Sequence, residues 1–160
     1  MTVRDTSAGD LAVLALRDRG GNVSAHLERL LAREASGPQR ALAEELTLGS
    51  IKRRLTLEAV LRAFLAQPGR KLPGALNEIL YVALYQLLFL DRIPDFAAVN
   101  EAVEQAGRFH HRRQAGLVNG ILRTVLRALG PLEEGPPPLA RDVIPVSPSS
   151  FRRLEQPVFA

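Results

Sequence analysis

The residues best placed to do chemistry lie between Phe96 and Arg123, where a basic cluster precedes a helix that contains two glycines. The basic cluster is His110-His111-Arg112-Arg113, and the glycines are Gly116 and Gly120. When the helix is indexed at 100° per residue, its apolar residues share one side. The opposite side, about 80° wide, carries Arg113, Gly116, Gly120, Arg123 and Arg127.

The two glycines indicate that something approaches this helix closely. A glycine inside a helix costs about 1 kcal/mol relative to alanine, and Gly116 and Gly120 both lie within the predicted helix. Because arginines flank them, the approaching group could be another helix or a phosphate. We favour helix packing for Gly116 and leave Gly120 open.

The basic cluster is suited to an anion rather than to catalysis or metal binding. It provides four donors beside a helix N-terminus, where backbone N–H groups already favour phosphate. The adjacent histidines, His110 and His111, have no carboxylate or cysteine spaced to complete a metal site. No Ser-His-Asp pattern or nucleophile elbow is present. We therefore expect no catalytic residue, no metal and no cofactor.

A second basic run, Lys52-Arg53-Arg54, lies midway along a long predicted helix. Such a run is often only a solvated face, but it can also contact RNA. The net charge of +4 permits nucleic-acid binding without requiring it.

Composition predicts one helical domain. The chain has 160 residues, is 46% hydrophobic, and contains no Trp and no Cys. Its apolar residues are mainly Leu, Ala, Val and Ile, which is typical of a helix bundle, and the lack of Cys excludes disulfides and thiolate chemistry. The N-terminus has no signal-peptide core, and the longest apolar run is too short to cross a bilayer. We expect a cytoplasmic protein.

Helical periodicity divides residues 1–130 into six segments. Asn22 or Ser24 could cap the second segment, Gly49 or Thr56 could bend the third, and Asp95 could cap the fifth. The predicted helices are Gly9–Asp18, Ala25–Glu34, Gln39–Leu65, Ala75–Leu90, Phe96–Gly107 and Gln114–Leu129.

Residues 131–160 differ from the rest, since they hold seven of the eleven prolines. The final sequence FRRLEQPVFA has apolar residues with no evident core to enter. We expect a linker, or a tail that orders on binding, rather than a second domain. The helices should then fold without it.

Three blocks together resemble the NusB family: LGSIKRRLTLEAVL, LNEILYVALYQLLFLDRIPDFAAVNEAVEQA and AGLVNGILR. They fall in the family's order and spacing over about residues 10–130. Within that family the chain looks most similar to the NusB-like N-terminal domain of RsmB-type rRNA cytosine-5 methyltransferases.

The resemblance implies an all-α bundle of about six to seven helices in two packed subdomains, with an RNA-binding role and no catalysis by this domain. Antitermination-type members share an arginine-rich N-terminal arm, whereas here Arg4 stands alone before the first helix. That departure favours the methyltransferase branch. The catalytic domain of that branch uses cysteines, which this chain lacks.

The expected function is thus non-catalytic binding of rRNA or a structured transcript, in transcription antitermination or in rRNA targeting. Two alternatives remain: an adaptor for a NusE-like ribosomal protein, and the targeting domain of a split or truncated rRNA methyltransferase, in which a methyltransferase domain would be the partner. The candidate RNA-binding residues are Arg4, Lys52, Arg53, Arg54, His110, His111, Arg112, Arg113, Gly116, Gly120 and Arg123.

Overall fold

In a computed structural model, which describes residues 6–17, 21–34 and 37–160, the chain forms helices followed by a small sheet. The elements are α1 (Ala8–Leu16), α2 (Val23–Glu34), α3 (Gly37–Lys52), α4 (Arg54–Phe64), α5 (Leu76–Phe89), α6 (Asp95–Phe109), α7 (Arg112–Ala128), β1 (Glu133–Glu134), β2 (Val143–Ser147) and β3 (Ser150–Arg153).

The helices pack as two groups joined through α5. Helix α1 packs on α2 and α3, while α6 packs on α7 and α5, and α4 contacts α5 and α7. Helix α5 also contacts α1 and α3, and it is buried along most of its length. Its apolar residues on nearly every side predicted this central position. The predicted helical bundle and its helix number are confirmed.

The prediction of a single long third helix, Gln39–Leu65, is wrong. Helix α3 ends at Lys52, and α4 begins at Arg54, because Arg53 leaves the helical conformation at φ −100° and ψ 14°. Neither Gly49 nor Thr56, the expected sites of a bend, makes the break.

Gly49 has a packing role instead. A β-carbon built there would lie 2.2 Å from Tyr85 Cζ, so the tyrosine ring of α5 rests directly on the backbone of α3. The glycine is therefore explained by the close approach of two helices.

Of the predicted capping residues, Asn22 caps its helix and Asp95 does not. Asn22 Oδ1 accepts a hydrogen bond from the Ala25 N–H at 3.2 Å, as predicted. Asp95 is not a cap, since it is the first residue of α6 after Pro94 and makes no capping hydrogen bond.

A buried carboxylate ties α1 to α6. Asp10 is 1% exposed and accepts hydrogen bonds from Gln105 Nε2 at 3.0 Å and from both terminal nitrogens of Arg108 at 2.9 and 3.2 Å. Asp10 also completes a capping box with Ser7 at the start of α1. The negative charge is thereby satisfied, as burial of a carboxylate requires.

The proline-rich segment folds as a three-stranded antiparallel sheet in the order β1-β3-β2. Ile144, Phe151 and Leu154 are buried, and Ile144 and Leu154 belong to the same core cluster as the helices. The expectation that these apolar residues have no core to enter is wrong.

Polar contacts also hold this sheet against the helices. Arg53 donates to the carbonyls of Pro145 at 3.3 Å and Val146 at 3.0 Å, and Arg152 donates to the carbonyl of Leu87. Gln156 Nε2 donates to the carbonyl of Ala63 at 2.7 Å. Periodicity could not reveal these contacts, because each joins residues far apart in the sequence.

Within the described ranges, no helix is both long and apolar enough to cross a membrane.

Candidate nucleic-acid interface

Helix α7 begins at the predicted basic cluster, and His111 is its N-cap. His111 Nδ1 accepts a hydrogen bond from the Arg113 N–H at 3.1 Å. That geometry places the ring proton on Nε2, which remains available as a donor. The cap also fixes Arg112 and Arg113 as the first two residues of α7.

The two sides of α7 differ in the way that the sequence indicated. Val118, Ile121, Leu122 and Val125 are buried, mainly against α6. The other side is exposed to solvent. We call it the arginine face, and its members are Arg112, Arg113, Gly116, Gly120, Arg123 and Arg127.

The glycines of the arginine face have open space above them. A β-carbon added at Gly116 or at Gly120 would meet no atom within 4 Å among the described residues. The prediction that Gly116 serves helix packing is therefore wrong. In both places the helix backbone is accessible from outside the molecule.

The cations of this face are not neutralised by acidic partners. Helix α7 contains no Asp or Glu, and none of its arginines forms a salt bridge within the described part of the chain. Arg123 Nε donates to Asn119 Oδ1 at 3.0 Å, and Arg127 donates to Thr124 Oγ1 at 3.1 Å. These neutral partners orient the side chains and leave their charge unpaired.

His110 lies at the end of α6 against the loop between α4 and α5. Its ring approaches Gly74, where an added β-carbon would lie 2.9 Å from His110 Cδ2. Gly74 also has φ +58°, which favours glycine. The histidine therefore connects this loop to the start of the arginine face.

The run Lys52-Arg53-Arg54 is divided by the structure. Arg53 stacks on Phe89 at 4.6 Å in addition to its contacts with β2, and Arg54 pairs with Glu58 at 2.9 Å. The pKa of Arg54 is raised, mainly because its side chain donates a hydrogen bond to Glu58. Lys52 is exposed at the end of α3. These contacts favour structural roles for Arg53 and Arg54. Arg4 lies outside the described residues.

A cavity that lies beside the arginine face was not predicted from the sequence. It measures about 250 Å³ and lies between the α4–α5 loop and the start of α7. Leu117 is one of the apolar residues predicted to share one side of the helix, but it is 41% exposed and lines this cavity. The only signal available was the Pro- and Gly-rich composition of the loop.

Comparison with known proteins places this chain in a family. The NusB family model matches residues 10–127. The "Probable ribosomal RNA small subunit methyltransferase B" of Bacillus subtilis is 35% identical over 130 residues, covering 78% of this chain and 29% of that protein. Ribosomal RNA small subunit methyltransferase B of Shewanella oneidensis is 31% identical over 121 residues, covering 76% of this chain and 28% of its own length. The chain thus spans less than a third of these relatives.

Solved structures share the fold. A chain in the crystal structure of a plectonemic RNA supercoil superposes with a TM-score of 0.69 at 17% identity, covering 79% of this chain and 96% of that one. A chain in the complex of antitermination factors NusB and NusE with dsRNA gives 0.68 at 16% identity, covering 79% and 98%. With the family model matching most of the helical region, the chain belongs to the NusB family.

Proposed function

We propose that this chain is a non-catalytic RNA-binding module that holds RNA phosphates on the arginine face. The observation that carries the proposal is the combination of arginines without acidic partners and glycines with open space above them. Arginine binds phosphate with charge-assisted and often paired hydrogen bonds. Exposed glycines allow a sugar–phosphate backbone to approach the helix more closely than side chains would permit.

The positions along α7 suit a strand rather than a single anion. Arg113 and Arg127 are fourteen residues apart, which corresponds to about 21 Å of helix axis. Cations distributed over that length can contact the phosphates of several nucleotides. The backbone N–H groups at the N-terminus of α7, beside Arg112, add a further attraction for phosphate.

Ribosomal RNA is the target that we favour. Relatives that share this region are named as small-subunit rRNA methyltransferases, and the chain matches only part of their length. The module would position rRNA for modification, with a methyltransferase domain as its partner and the cytoplasm as its location. A role in antitermination is the other form of the proposal, supported by the fold shared with NusB in its complex with NusE and dsRNA.

Charge reversal at the start of α7 tests the proposal. Replacing Arg112 and Arg113 together with Glu should weaken binding to structured rRNA fragments at least tenfold, because each lost charge-assisted contact is worth about 1.5–3 kcal/mol. Fluorescence anisotropy with a labelled fragment gives the affinity, and circular dichroism verifies folding.

The matched control is Arg29→Glu with Arg33→Glu on α2. Both arginines are exposed and belong to the other helix group. The control therefore changes the net charge by the same amount as the Arg112/Arg113 variant, but on a helix other than α7. If the two double variants weaken binding equally, general charge is responsible and the arginine face is not the site.

A second candidate function is an adaptor for a NusE-like ribosomal protein. Leu48, Ile51 and Leu55, at the junction of α3 and α4, are 49%, 42% and 82% exposed and form an apolar surface without a covering element among the described residues. If this function is correct, Leu55→Asp should abolish capture of the ribosomal protein. Salt-dependent RNA binding by the chain alone would favour the first function.

A further inference from the structure

The cavity beside the arginine face has two kinds of wall. Leu65, Leu72 and Leu117 give it apolar surface, while Gln67, Arg70 and Gln114 contribute polar groups. The amides of Gln67 and Gln114 have no hydrogen-bond partner among the described side chains and backbone groups. Each amide can donate and accept at once. A planar ligand with donors and acceptors along its edge fits such a lining.

The cavity opens onto the proposed RNA-binding surface. Leu117 follows Arg113 by four residues, which places it about 40° further around the helix, beside the arginine face. A strand whose phosphates contact Arg113 and Gly120 would therefore pass the cavity mouth. Arg70 gives the opposite rim a positive charge as well.

We propose that this cavity binds the base of a single unpaired nucleotide in the RNA held by the arginine face. The inference rests on the proposed function and narrows its target to RNA with a bulged or looped nucleotide. A paired base cannot enter, because its faces are stacked and its edge is engaged by the opposite strand. An unstacked base exposes both its faces and its edge, and proteins recognise such bases by hydrogen bonds to the exposed edges. The leucines pack against the faces of the base, and the side-chain amides of Gln67 and Gln114 form hydrogen bonds with its edge.

Two RNA hairpins that differ by one nucleotide provide the test. One has a single unpaired 2-aminopurine in its stem, and the other lacks that nucleotide and is fully paired. The wild-type chain should bind the bulged hairpin at least about fivefold more tightly than the paired one. The fluorescence of 2-aminopurine should rise on binding, because the base leaves the stack.

Two variants test whether the cavity is responsible for the preference for the bulged hairpin. Leu117→Trp fills it and should bring the ratio of the two affinities close to one, and Gln114→Ala should reduce the ratio without adding bulk. Leu139→Trp is the matched control, because Leu139 is fully exposed and does not line the cavity. That variant should retain the wild-type ratio.

The outcomes separate this proposal from the one on which it rests. Equal, salt-dependent binding of both hairpins would overturn the base pocket and leave the arginine face in place. A ratio that persists in folded Leu117→Trp would also overturn it. Failure to bind either hairpin would overturn both proposals.

Discussion

At the residue scale, the glycines show that one residue type has two different explanations in this chain. Gly49 is required because Tyr85 packs on it, whereas Gly116 and Gly120 face open space. Sequence reasoning identified the helical glycines as unusual but assigned Gly116 to packing. The distinction depends on what lies above the backbone, which only the tertiary structure gives.

The open glycines predict opposite effects on stability and binding. Gly120→Ala should stabilise the fold by about 1 kcal/mol, because alanine is the better helix former and its methyl group meets no neighbour. RNA affinity should fall threefold or more if the sugar–phosphate backbone approaches here. Denaturant unfolding and anisotropy measure the two quantities. Gly49→Ala, which must displace Tyr85, should instead lose stability. A Gly120→Ala variant that binds RNA as tightly as the wild type would contradict the close approach.

Glu101 predicts a specific pH dependence of stability. Burial raises the pKa of its carboxyl above the ordinary value of 4.5, and the nearby Asp10 raises it further. The folded state therefore holds this proton to higher pH than the unfolded state, and stability is lost as pH rises through the raised pKa. Glu101→Gln should be more stable than the wild type at neutral pH, and the difference should vanish below about pH 4.5.

Thermal unfolding across pH 3.5–7.5, a range set by ordinary carboxyl pKa values, measures this difference. The control is Glu155→Gln, which removes an exposed carboxylate and should follow the wild type at every pH. A stability difference between Glu101→Gln and the wild type that stays constant with pH would show that the carboxyl does not titrate as described.

At the element scale, the helices were largely predictable and the sheet was not. The sequence pattern places α5 and α7 to within about two residues, because the apolar run of α5 and the one-sided apolar pattern of α7 are both local. The break at Arg53 was missed. That residue leaves the helical conformation, and its side chain bonds to β2, which lies far away in the sequence. The strands between Glu133 and Arg153 are short, and their core partners lie on helices far away in sequence.

The sheet should be a structural part of the chain, contrary to our expectation from sequence. Deleting residues 136–160 removes Ile144, Phe151 and Leu154 from the core and leaves Arg53 and the Ala63 carbonyl without their partners. The melting temperature should fall by at least about 10 °C, given a few kcal/mol for each buried apolar side chain.

Differential scanning calorimetry of the deletion variant and the full chain measures this change. Deleting only Val158 to Ala160 is the milder control. A melting temperature within a few degrees of that of the full chain would restore the original interpretation of residues 131–160 as a dispensable tail.

At the scale of the whole molecule, the bundle holds one side of α7 in the core and leaves the arginine face exposed to solvent. The +4 net charge is modest, and residues 1–130 carry its excess. What distinguishes the arginine face is therefore the arrangement of its charges rather than their number. The basic cluster and the glycine spacing were visible in the sequence. The adjoining cavity and the structural use of Arg53 were not.

The dependence of RNA affinity on salt is the most direct test of phosphate binding by the arginine face. The logarithm of the association constant should fall linearly with the logarithm of salt concentration, because phosphate contacts release counterions. Replacing Arg112 and Arg113 with Glu should make that slope shallower by about two, or about one for each lost phosphate contact. The Arg29/Arg33 control should keep the wild-type slope. An unchanged slope in the folded Arg112/Arg113 variant would show that RNA phosphates do not contact the start of α7, which would contradict RNA binding by the arginine face.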